Sequence, residues 1–129
     1  MSQIADEKNQ HVLVVDDVAD NIFLVQFVLE AKGYKVSTAN SGEAALNLLE
    51  TARLKPDLII LDLMMPVMNG YEVIARLRKH HELAHIWIFL MTANTEVSYK
   101  KAKEVGADEI LYKPLDIEQF VTRIELLNV

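Results

Sequence analysis

A chain of 129 residues, 51% hydrophobic and 25% charged, can bury one substantial core and is too short for two domains. That balance is typical of folded globular proteins and sets disorder aside. A net charge of −6 argues against direct nucleic-acid binding, which needs clustered Lys and Arg, and the absence of cysteine excludes disulfides and thiolate metal sites.

Residues 1–10 are polar and aperiodic and read as a flexible leader to a single domain over residues 11–129. No signal peptide or membrane-length apolar run follows, so a cytoplasmic location is expected. His11–Val15 is a short apolar run and predicts a buried strand. A helix is expected from about Ala19 to Lys32, stopped by Gly33. Tyr34–Thr38 predicts a second strand, and Asn40 or Ser41 caps a second helix reaching Glu50. Pro56 ends the linker to the very apolar Leu58–Leu61, and a loop with Pro66, Asn69 and Gly70 leads to a helix ending near His80. Ile86–Met91 is a fourth strand, Thr95 is placed to cap a helix to Val105, and Gly106 stops it. Ile110–Tyr112 is the fifth strand, followed by Lys113–Pro114 and a final amphipathic helix, Ile117–Leu127, capped by Asp116.

Five βα units of this kind imply an α/β fold: a parallel sheet, doubly wound, with helices on both faces. In such sheets the carboxyl ends of the strands share one edge, and ligands bind there. Asp16, Asp17, Asp62, Thr92 and Lys113 each stand where an apolar run ends. Topology therefore gathers three carboxylates, a hydroxyl and an ammonium in one place. Such a set stays net negative and calls for a hard divalent cation such as Mg²⁺. Singly, each residue has an ordinary explanation. An acidic pair can start a helix (although Asp20 is available for that), Asp62 can close a turn, Thr92 can serve β propensity, and Lys113 can be solvated. Their concurrence in order at strand ends is what those explanations do not predict.

Asp16–Asp17, the segment Asp62-Leu63-Met64-Met65-Pro66-Val67-Met68-Asn69-Gly70, Thr92–Ala93, Gly106-Ala107-Asp108 and Lys113–Pro114 together resemble the receiver domain of two-component response regulators. The resemblance runs from His11 to Leu127. It implies a flavodoxin-like five-stranded sheet of order 2-1-3-4-5, and a signalling module rather than a conventional enzyme. It further implies that Asp62 accepts a phosphoryl group from a phosphohistidine partner, with Thr92 and Lys113 contacting the phosphoryl oxygens. Asp16, Asp17, Asp62 and the backbone carbonyl of Met64 are the implied Mg²⁺ ligands, and the Lys113–Pro114 bond is often cis in that family. The implied partners are a histidine kinase or histidine phosphotransfer domain and a downstream protein target. Output would pass through the face of the fourth helix, fifth strand and fifth helix. Met1 and the polar leader favour a stand-alone regulator over a receiver excised from a larger protein.

Two positions depart from the family pattern. Ile110 stands three residues before the lysine, where many receivers carry Tyr or Phe, so the usual aromatic switch is missing. Tyr112, on the same strand face by period two, is the substitute the chain offers. Trp87 replaces a common proline and is expected to cover a sheet edge. His11, His80, His81 and His85 are read as structural or solvated, and Met64, Met65 and Met68 as loop and core packing. On the first helix, Leu24, Val25, Val28 and Leu29 are expected to face the sheet, leaving Phe23 and Phe27 exposed to dock the phosphohistidine partner unless the leader covers them. Two rival functions are a haloacid-dehalogenase-type phosphatase and a phosphorylation-independent scaffold. The first expects an Asp-x-Asp nucleophile on the first strand, where this chain has adjacent aspartates; Ile110 is the feature that favours the second.

Overall fold

The computed structural model describes residues 10–53 and 55–127. The strands are β1 (His11–Val15), β2 (Lys35–Ala39), β3 (Leu58–Asp62), β4 (Trp87–Thr92) and β5 (Glu109–Tyr112). The helices are α1 (Ala19–Ala31), α2 (Gly42–Thr51), α3 (Gly70–Lys79), α4 (Tyr99–Val105) and α5 (Ile117–Leu126). The strands pair in parallel in the order β2-β1-β3-β4-β5, the flavodoxin-like order. The central strands are buried on both faces, which is why their sequences are continuous apolar runs rather than alternating ones.

Alternate residues of those strands supply two cores. Leu13, Ile59, Leu61, Ile88, Leu90 and Ile110 pack with Ala45 and Leu49 of α2, Val73, Ile74 and Leu77 of α3 and Ala102 of α4. Val12, Val14, Ile60, Phe89, Met91 and Leu111 pack on the other face with Val25 and Leu29 of α1 and Phe120 and Ile124 of α5. At the edge remote from the acidic residues, Arg78 donates to the carbonyls of Ala84, Ile86 and Gly106 and to Asp108 Oδ2. It thereby fastens the end of α3 to the start of β4 and to the turn before β5. Asp108 completes the staple by accepting the Ile88 amide at 2.8 Å. Gly106 caps α4 at φ 109°, a left-handed conformation that favours glycine.

Several boundaries differ from the sequence expectations. Ser41, not Asn40, caps α2, its Oγ accepting the Ala44 amide at 3.0 Å. β2 begins one residue later than expected because the Tyr34 amide still donates to Leu29 while its side chain enters the core. Thr95 does not cap α4. Asn94 closes a turn on the Glu96 amide, and Ser98 then caps, so the helix is shorter than expected. On α1, Val25 and Leu29 are buried but Leu24 is 45% exposed, because only one stripe of a 3.6-residue helix can face the sheet. His80, His81 and His85 are exposed as expected, and His11 is partly buried with Nε2 2.7 Å from Ser37 Oγ. Burial holds the His11 pKa below its ordinary value, against the nearby Asp57 carboxylate. Trp87 is half exposed at the start of β4; among the methionines, Met65 joins the core and Met64 faces solvent. The leader expected over residues 1–10 lies outside the described residues except for Gln10, whose carbonyl accepts the Lys35 amide.

Candidate phosphoryl-accepting site

Each carboxylate is delivered by a strand that stops. β1 runs out after Val15, and the Asp16 amide makes one more ladder bond, to Ala39, before the chain turns. No side chain caps α1; Asp16 Oδ1 instead accepts the Val18 amide at 2.9 Å and braces that turn, so Asp16 has a local role that the capping argument did not foresee. Asp62 is the last residue of β3 and is only 3% exposed. The ladder continues one residue further, with the Leu63 amide on Met91. The chain then returns so closely that Gly70 donates to the Leu63 carbonyl at 2.8 Å. A Cβ at position 70 would lie 2.8 Å from the Asp62 carbonyl oxygen and 2.9 Å from Leu63 Cα, so only glycine fits beneath the end of β3. α3 then starts from a full capping box between Asn69 and Glu72.

The five expected residues come together. Asp16, Asp17 and Asp62 present carboxylate oxygens that all lie within 4.8 Å of one another. Lys113 reaches in from the end of β5, its Nζ 3.2 Å from both Asp16 Oδ2 and Asp62 Oδ1. The Lys113 amide donates to the Thr92 carbonyl, and the Lys113–Pro114 bond is cis. Thr92 is buried, its Oγ1 accepting the Asn94 amide at 3.0 Å. Asp17 alone among the three acids is exposed, and Met64 lies beside the site, its amide 3.4 Å from Asp62 Oδ1.

Charge dominates the chemistry of this pocket. Burial, reinforced by the Asp16 carboxylate, pushes the Asp62 pKa from 3.8 up to about 6, against the opposing pull of Lys113. Burial alone would lower the Lys113 pKa, but Asp62 and Asp16 outweigh it and the pKa is raised, so the ammonium stays charged. One ammonium among three carboxylates leaves an excess of negative charge, and the donors that face inward are hard oxygens. That donor set fits Mg²⁺ and does not fit a softer metal.

On α1, Phe23 and Phe27 are 70% and 64% exposed, with ring centroids 6.5 Å apart. Leu24 adjoins them and also lines an apolar pocket of about 120 Å³ with Met91, Lys113, Pro114 and Leu115. The exposed apolar strip of α1 thus runs up to the acidic site. Tyr112, the substitute for the family's aromatic offered by the sequence, ends β5 with its hydroxyl donating to the Val97 carbonyl at 2.5 Å, a contact no local pattern signals.

Residues 12–125 match the family described as response regulator receiver domain. Over 119 residues the chain is 38% identical to the alkaline phosphatase synthesis transcriptional regulatory protein PhoP of Bacillus subtilis, covering 92% of this chain and 48% of that protein. It is 36% identical over 117 residues to the response regulator SaeR of Staphylococcus aureus, covering 91% of this chain and 50% of that one. The chain therefore spans about half the length of these curated relatives. Among solved structures, the chemotaxis response regulator CheY4 of Vibrio cholerae superposes with a TM-score of 0.83 at 32% identity, covering 92% of this chain and 98% of that one.

Proposed function

The chain belongs to the response regulator receiver domain family, and from that premise we propose that Asp62 is its phosphoacceptor, acting with Mg²⁺ in a phosphorelay in the cytoplasm. The observation that carries this reading is the Lys113 ammonium bridging Asp16 and Asp62 at the sheet edge where Thr92 also ends its strand. A donor phosphohistidine meets the Asp62 carboxylate in line. An Asp62 oxygen forms the new bond to phosphorus as the P–N bond breaks. Its electron pair goes to the imidazole nitrogen, which leaves as neutral imidazole when its other nitrogen is protonated. Lys113 exchanges its contact with Asp62 for a phosphoryl oxygen, and the Thr92 hydroxyl, whose oxygen already accepts from Asn94, has its proton free to donate to another. Asp16, Asp17, Asp62 and the Met64 backbone carbonyl would hold the Mg²⁺, which when bound neutralises charge on the phosphoryl oxygens. In the reverse phase, water attacks phosphorus, the Asp62–phosphorus bond breaks, and carboxylate and inorganic phosphate are restored.

Incubation with acetyl phosphate and Mg²⁺, followed by intact mass, tests the reading. A gain of one phosphoryl group that a chelator prevents supports it. No gain, together with no binding of beryllofluoride, overturns it and leaves the phosphorylation-independent scaffold.

We further propose that the donor is a histidine kinase or histidine phosphotransfer domain seated on Phe23 and Phe27, and that a downstream protein target reads the face formed by α4, β5 and α5. The two rings, stacked on each other, form with Leu24 an apolar strip left exposed by the described residues that ends at the pocket, the arrangement a donor helix needs to bring its histidine to Asp62. Phe23→Ala or Phe27→Ala should cost about 2 kcal/mol or more of donor binding. Transfer from the protein donor should slow roughly thirtyfold, by the same energy, while phosphorylation by acetyl phosphate is unchanged. Equal slowing with both donors would show a disturbed helix rather than a lost docking surface.

A further inference from the structure

The amino edge of the sheet, at the opposite end of the strands from Asp62, holds a second concave site built on backbone. The Asp57 amide donates to the His11 carbonyl at 2.8 Å, and Asp57 Oδ2 accepts the His11 amide at 3.0 Å. The Asp57 carbonyl in turn accepts the Trp87 amide, and the Gln10 carbonyl accepts the Lys35 amide. These bonds fix the entries to β1, β3 and β4 round a cavity of about 240 Å³, which Leu127 lines from beyond the end of α5.

One wall of the cavity is aromatic. Trp87 pairs with Leu58 in the β3–β4 register, and its side chain stays 48% exposed while Leu58 is buried. Tryptophan is highly buried on average, so an indole half in water beside a cavity is an unused stacking surface. The polar groups around it are unengaged. Asp57 uses only Oδ2, and the Gln10 side-chain amide makes no hydrogen bond among the described residues. Lys55 Nζ donates to the Leu49 and Ala52 carbonyls and keeps a third proton. His85, also on the wall, adds an imidazole that can donate or accept. A flat apolar wall with a few convergent polar groups is the form that small-molecule sites take.

The chemistry of those groups selects a ligand. A carboxylate accepts two donors side by side, whereas a primary amide and an ammonium donate to an acceptor. Among planar bases, guanine carries N1–H and N2–H next to O6, and adenine has no such pair of neighbouring donors. We propose that this cavity binds a guanine base, free as a nucleoside or carried on a nucleotide. The ring stacks on the Trp87 indole, N1–H and N2–H donate to Asp57, and O6 accepts from Gln10 and Lys55. The site lies a strand's length from the acidic pocket and does not depend on phosphoacceptance by Asp62.

Trp87 is the only tryptophan in the chain, so its emission reports on this cavity. Titration of the full chain with guanosine should quench that emission saturably. Adenosine should bind at least about tenfold more weakly, because it leaves the carboxylate without its second donor. Gln10→Ala removes side-chain atoms that hold nothing in the fold, and should weaken guanosine about three- to tenfold. Asp57→Asn keeps an oxygen for the His11 amide but loses the paired acceptors. Equilibrium dialysis with labelled guanosine should show a loss of about tenfold or more in that variant. Asp62→Asn should bind guanosine as the wild type does. Guanosine monophosphate binding more tightly than guanosine supports a nucleotide ligand, and equal binding supports the nucleoside. Absence of saturable quenching by guanosine overturns the proposal, as does equal affinity for adenosine or undiminished affinity in both Gln10→Ala and Asp57→Asn. Loss of binding in Asp62→Asn would place the base in the acidic pocket and overturn it too.

Discussion

Asp62→Asn should abolish phosphorylation, both by acetyl phosphate and by a phosphohistidine donor. An amide oxygen has no anionic lone pair to offer phosphorus, and no other carboxylate in the pocket can replace it in the same geometry. Asp16 is fully buried and already committed to the Val18 amide and Lys113, while Asp17 is exposed at the rim. The supporting residues should show graded losses. Lys113→Ala removes the only ammonium bonded to the acidic cluster among the described residues, and should slow transfer on the order of a hundredfold or more. Asp17→Asn should raise the Mg²⁺ concentration needed for half-maximal phosphorylation, because it removes one charge from the cation site without touching the nucleophile. Intact mass after incubation with acetyl phosphate, across a Mg²⁺ series, measures all three. Phosphorylation persisting in Asp62→Asn would move the acceptor to another residue.

The same substitution should make the metal-free protein more stable at neutral and alkaline pH. Asp62 is buried beside Asp16, and its pKa rises from 3.8 to about 6 on folding. The folded protein therefore binds that proton more tightly than the unfolded chain. The resulting contribution to stability is complete below pH 3.8 and is lost as pH rises through about 6. A shift of this size corresponds to about 3 kcal/mol between the two limits. An asparagine carries no such titration. The stability difference between Asp62→Asn and wild type should therefore be small near pH 4 and grow in favour of the variant up to pH 8. Lys113 also lies 3.2 Å from Asp16, so removing the Asp62 charge should not leave its ammonium unpaired. Urea unfolding in the presence of a chelator, at several pH values, measures the difference. Added Mg²⁺ should reverse the order at pH 8, since a cation held by the folded state stabilises it by mass action and the variant has lost one ligand. A wild type more stable than the variant at every pH without metal would show that Lys113 more than offsets the repulsion between Asp16 and Asp62.

The strand order was implied only by the resemblance to receiver domains, whereas the parallel sheet and the candidate site were legible in the residues themselves for one reason. A strand covered by helices on both faces must be apolar throughout, so the polar residue that ends such a run marks the sheet edge where ligands bind. Asp16, Asp62, Thr92 and Lys113 all obey that rule, as does Asp17 one residue beyond. Gly106 was legible too, as the residue that stops a helix in a left-handed conformation, whereas Gly70, expected in a loop, begins α3 and is required by a close approach to the end of β3 that only the folded chain shows. Periodicity failed where competition among neighbours decides the outcome. Leu24 has the spacing of a core residue but lies beyond the stripe that reaches the sheet, and Thr95 has the chemistry of a cap but yields to Ser98 because Asn94 closes an earlier turn. What only the tertiary structure decided are the contacts between residues remote in sequence. Lys113 spans Asp16 and Asp62, Arg78 staples three segments, and Tyr112 reaches Val97 across its own strand end. A local pattern encodes which side chains are buried and where a strand stops. The few ångströms that determine whether an ammonium meets one carboxylate or two are set by how the strands twist and the helices pack, and no single segment carries that information.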